Sequence, residues 1–144
     1  MKYLILSVSF CMLPIQVYAG DFSGKKSLLC SVAEASECSA GSDCLTSNAA
    51  NMDLPNFISI NFKKKSITAA GKGNAVNKVA TKKKFKAAQA DITSVSSSKN
   101  MTILHGTQNG RGWSAAINQS TGVMSLAVSG DSVGFVVQGA CLAK

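Results

Sequence analysis

His105 is the only imidazole in the chain and the natural place to look for acid–base chemistry. Nucleophilic catalysis would need a serine or cysteine held by that ring and an acid to orient it. No G-x-S-x-G elbow is present. Asp91 or Asp131 could orient the ring only through a tertiary meeting that spacing does not specify. Glu34 and Glu37 stand three apart with no matching carboxylate elsewhere, so a paired-acid hydrolase is unsupported. The expectation is a protein that is not an enzyme and takes no cofactor.

Cysteines offer the next chemistry. Cys11 lies in an apolar N-terminal stretch, which leaves Cys30, Cys38, Cys44 and Cys141. Zinc sites favour close C-x-x-C pairs, whereas here 7, 5 and 96 residues intervene, so no metal site is expected. Four cysteines allow three disulfide pairings. Cys38 and Cys44 enclose SAGSD, a stretch able to fold back on itself, and a local bridge there leaves Cys30 for Cys141.

Basic residues come third. Residues 54–100 hold ten lysines against Asp91 alone, in a chain of net charge +8. Lys63, Lys64 and Lys65 sit at an expected hairpin turn. Lys82, Lys84 and Lys86 would share one face of a strand over about 13 Å, with Lys83 between them. If the two clusters converge, they make a positive surface suited to an anionic envelope component such as lipopolysaccharide, or to another polyanion. The bland reading is solvation and protection of a sheet edge. Sequence-specific nucleic-acid binding is not expected, because the segment has no arginine and, among Lys82–Lys86, only Phe85 as an aromatic. Arg111 and Trp113, in NGRGW, could contact a ligand by a forked hydrogen bond or by stacking. Alternatively, Trp113 anchors a core with Ala115 and Ile117 while Arg111 caps the turn.

These side chains must be positioned by strands. FISINF (57–62) places Ile58, Ile60 and Phe62 on one face and Ser59 and Asn61 on the other, the period of a half-buried strand. Leu28–Val32, Ser66–Ala70, Met101–His105, Gly112–Asn118, Val123–Val128 and Val133–Gln138 read likewise, with Asn109-Gly110 a strong turn signal. Val76–Val79 is weaker, and Lys84–Ile92 is ambiguous between strand and helix. SVSSSKN (94–100) reads as a loop, and Thr46–Asp53 as a helical turn or loop. The spacing predicts an all-β domain: a meander of about eight short antiparallel strands closed into a small β-barrel or barrel-like sandwich.

Residues 1–19 read as a cleavable signal peptide. Lys2 precedes an apolar run from Leu4 to Ile15, and Val17 and Ala19 suit cleavage before Gly20. The run is shorter than the roughly 18–20 residues a membrane span needs. Residues 20–144 are expected to form one soluble β domain in the periplasm or outside the cell, where disulfides persist.

Several phrases taken together, LLCSV, CSAGSDC, LPNFISINF, NGRGWSAAINQSTGVMSLAV and GFVVQGAC, resemble a family of small exported bacterial proteins of unknown function. The resemblance implies a bacterial, periplasmic setting and a structurally paired Cys30 and Cys141. It supplies no activity or site. A looser similarity, to small β-barrel inhibitors of lysozyme, meets two objections: their inhibitory loop motif is missing, and a basic chain would be repelled by cationic lysozymes. Two functional readings stand side by side. One is a non-enzymatic envelope protein whose lysines contact an anionic partner. The other is a small barrel that inhibits a protein or carries a ligand through the NGRGW hairpin or the barrel mouth.

Overall fold

The computed structural model describes residues 20–52, 54–70 and 89–144. Within them run nine strands: β1 (Leu28–Ser39), β2 (Leu45–Asn48), β3 (Phe57–Asn61), β4 (Ser66–Ala70), β5 (Gln89–Ser98), β6 (Met101–Gln108), β7 (Arg111–Asn118), β8 (Val123–Ser129) and β9 (Val133–Ala143). Each strand pairs antiparallel with its neighbour, and β1 also pairs with β9 from Leu28↔Ala143 to Ser39↔Val133. That last pairing closes an eight-stranded barrel, with β2 as one extra strand. The all-β antiparallel expectation holds, and the choice between barrel and sandwich falls to the barrel. On its other side, β1 pairs with β3 along its first half and with β2 along its second.

The alternation seen in the sequence sorts side chains between lumen and exterior. Trp113, Ala115 and Ile117 of β7 are buried, as are Thr102 and Leu104 of β6 and Ile58 and Ile60 of β3. Closure needs bends, and two register shifts supply them, between Val32 and Glu34 in β1 and between Ile92 and Ser94 in β5. Beyond the first shift the buried residue is Ala35, three after Val32, so the lumen face continues across the extra residue.

Two expectations need correction. SVSSSKN is no loop: Ser94–Ser98 complete β5, paired with Met101–His105 of β6. Its serines carry no alternating apolar signal because most of them are exposed, and the partner strand specifies the pairing. The described residues of Thr46–Asp53 hold no helical turn: Thr46, Ser47 and Asn48 belong to β2, with a turn after them. The candidates Val76–Val79 and 84–88 lie outside the described residues, as does the expected signal peptide.

One end of the barrel is plugged from within the chain. Phe22 is 5% exposed, and its carbonyl accepts a 2.8 Å hydrogen bond from the hydroxyl of Thr102, itself fully buried. Gly122 has φ 72°, and a Cβ there would lie 2.7 Å from the Phe22 ring, so glycine makes room for the plug. Phe22→Ala should therefore lower unfolding stability by about 3 kcal/mol in a urea titration. A loss under about 1 kcal/mol would show that the ring contributes little packing.

Candidate functional site

Among the described residues the other end is open. There the lumen widens into a cavity of about 300 Å³ whose walls are apolar: Val32, Ile58, Ile67, Trp113, Leu126, Phe135 and Val137 contribute, with Leu54 and Pro55 leaning in from the loop before β3. Its size sits at the lower end of the roughly 300–1,000 Å³ typical of small-molecule sites. Eight-stranded barrels are the size class able to hold one small ligand.

The β6–β7 hairpin sets its polar edge. Asn109 (φ 50°) and Gly110 (φ 76°) form a two-residue turn, both with positive φ, which fixes the register outward from Gln108↔Arg111 to Gly106↔Trp113. Gln108 and Arg111 share the lumen face with Trp113 and both line the cavity. The Gln108 amide donates to the Gln89 carbonyl at 2.9 Å. Arg111 is exposed, its stem passing over Gly130 of the β8–β9 turn, and among the described residues it has no ion pair or hydrogen bond through its side chain. Its fork of donors thus stands beside an apolar hollow without a partner among the described residues. The expectation that it caps its own turn is not met.

Trp113 is 8% exposed and stands in line with Ala115 and Ile117, as the core-anchor reading held. It also lines the cavity, so the two readings of this residue are not exclusive. The indole fits because residue 106 has no side chain: a Cβ there would lie 2.2 Å from the ring. Its Nε1–H is buried with no acceptor among the described residues.

Other candidates fall elsewhere. Cys30–Cys141 and Cys38–Cys44 are disulfides. The first joins directly opposed residues of β1 and β9 inside the barrel, and the second closes the β1–β2 connection. Lys63, Lys64 and Lys65 are exposed at the β3–β4 turn, at the plugged end. Lys82, Lys83, Lys84 and Lys86 lie outside the described residues, in the segment 71–88 that joins β4 to β5. Of its described flanks, Ala70 ends β4 on the mouth side, five residues from Lys65, and Gln89 pairs with Thr68, three residues from Lys65. His105 is exposed on the outer face of β6, and among the described residues no carboxylate hydrogen-bonds its ring. Among the described residues no three His, Cys, Asp or Glu side chains group as metal ligands.

Sequence reasoning missed Gly106, Gln108 and the cavity walls. Counting outward from the Asn109-Gly110 turn would have opposed Gly106 to Trp113; the walls, drawn from many strands, had no local signal. Compared with protein-family models, with curated proteins and with solved structures, the chain finds no match.

Proposed function

We propose that the protein is a non-enzymatic binding protein of an oxidising, extracytoplasmic compartment, and that it holds a small, largely apolar ligand with one anionic group in the barrel mouth. The observation that carries the reading is the pairing of an apolar cavity with a cation at its edge, Arg111, that has no partner among the described residues. Apolar walls supply most of the affinity, and a fork of N–H donors orients a carboxylate. The two disulfides are compatible with that compartment. Lys82, Lys83, Lys84 and Lys86 take no part in this reading.

Trp113 is the only tryptophan and lines the cavity, so its fluorescence reports occupancy. Titration with octanoate should give a saturable change, and octanol a weaker one. Arg111→Gln should cost about tenfold in octanoate affinity, or about 1.4 kcal/mol, and little for octanol. No saturable response to either probe would sink the reading. Equal losses for both probes would remove Arg111 from it.

A further inference from the structure

The described lysines are sorted to one end of the barrel. Seven lysines, Lys25, Lys26, Lys63, Lys64, Lys65, Lys99 and Lys144, belong to the plugged end. The topology brings them together. Lys25 and Lys26 follow the plug, where a Cβ on Gly24 would lie 3.5 Å from the Phe62 ring just before the lysine turn. That turn is tied to β5 by the Ile92 N–H donating to the Lys65 carbonyl at 2.8 Å, and Lys99 tips the β5–β6 hairpin. Lys144 joins Lys25 and Lys26 because its N–H donates to the Ser27 carbonyl at 2.8 Å. Two acids stand near these lysines: Asp91, exposed on β5 directly opposite Ser66, the residue after the lysine turn, and Asp21 on the plug. For Asp21, hydrogen bonds from the Ser23 hydroxyl and backbone N–H hold the carboxyl below the usual carboxylate range, with Lys25 and Lys26 adding to the effect. Glu34, Glu37, Asp43 and Asp131 lie towards the mouth.

We propose that the plugged end is a docking surface for an anionic phospholipid bilayer. Seven cations facing one way without described ion pairs repel one another, and a sheet of phosphate charge relieves that repulsion. Two features favour lipid over a nucleic acid or an anionic polysaccharide. Leu142, two residues before Lys144, is 72% exposed on the outer wall with Leu29 directly opposite, and Val123, 54% exposed, lies opposite Ala140 on the same strand pair. Apolar side chains flanking lysines suit insertion at a headgroup boundary. The cations are all lysines, point charges on flexible stems, and no exposed aromatic ring is among the described residues of that end. Docked this way, the barrel mouth faces the aqueous side. The surface is independent of Arg111 and Trp113, so its failure and the failure of the mouth site are separable.

The test is co-sedimentation of the protein, as recovered from the cell, with phosphatidylcholine vesicles with and without phosphatidylglycerol. Binding should require phosphatidylglycerol and weaken with added salt. Combining Lys25→Gln, Lys26→Gln, Lys63→Gln, Lys64→Gln and Lys65→Gln should lower the partition coefficient at least about a hundredfold. Changing Lys82, Lys83, Lys84 and Lys86 to Gln should leave it within about twofold. Leu142→Ser with Val123→Ser, which leaves the charge intact, should lower it severalfold. Equal binding to neutral vesicles, unchanged binding of the five-lysine variant, or loss that tracks residues 82–86 instead would overturn the proposal. So would an unaffected Leu142→Ser, Val123→Ser variant, or retention on heparin or DNA without vesicle binding, which would assign the end to a polymer.

Discussion

Gly139→Val should fail to give a closed barrel. Gly139 lies on β9 opposite Val32, beside the first register shift, and a Cβ there would stand 2.0 Å from the Ser31 carbonyl oxygen. The obstacle is backbone, so no rotamer change relieves it; β1 and β9 must separate where they seal the wall. The expected loss exceeds about 4 kcal/mol, beyond ordinary overpacking, and takes the chain to the limit of what a domain of this size tolerates. Gly134→Ala is the control on the same strand. Its Cβ would meet only the Val128 carbonyl at 3.6 Å, an ordinary contact, so its stability should stay within about 0.5 kcal/mol of the parent. Circular dichroism and urea unfolding of the pair settle the matter. A folded Gly139→Val barrel of parental stability would mean that the two strands can part at the seam without cost.

Removing the long disulfide by Cys30→Ala with Cys141→Ala should lower stability by about 4.7 kcal/mol on a chain-entropy basis. The bridge spans 111 residues of sequence, so it restrains almost the whole unfolded domain. For a domain of intermediate length that loss corresponds to a melting temperature lower by about 15–20 °C. Both sulfurs are buried in the lumen, at 0% and 3% exposure, so the alanine pair also leaves a small void that adds to the loss. Cys38→Ala with Cys44→Ala releases a sequence separation of only 6, at an exposed corner, and should cost about half as much. Reversal of that order in thermal melts would show that the unfolded chain is already compact enough to make the long restraint redundant.

Much of the barrel was legible because its strands obey a simple rule. In FISIN and in WSAAIN every second residue is large or apolar and every second is buried, so the period in the letters is the period in space. The rule failed where one side of a strand lost its apolar content. Ser94–Ser98 shows no alternation, and only the partner strand β6 reveals its place. Leu45–Asn48 is too short to carry a period, and it exists because β1 outruns β3 and leaves half an edge to fill. The mouth was legible in part. Arg111 and Trp113 stood out as the only residues of their types, but residues from Val32 to Val137 surround them, and no local pattern announces a ring of neighbours. Lys63–Lys65 keep company with Lys25, Lys26, Lys99 and Lys144, a grouping set by strand ends and not by sequence proximity.

The seam between β1 and β9 has a consequence in time. The first strand of the barrel finds a full-length partner only in the last, and contacts of such span make β-rich domains slow to assemble. A nascent chain lacking β9 can form hairpins, but it keeps two open edges and no finished wall. Anything that must handle this polypeptide as a loose thread therefore has the whole of its synthesis in which to do so.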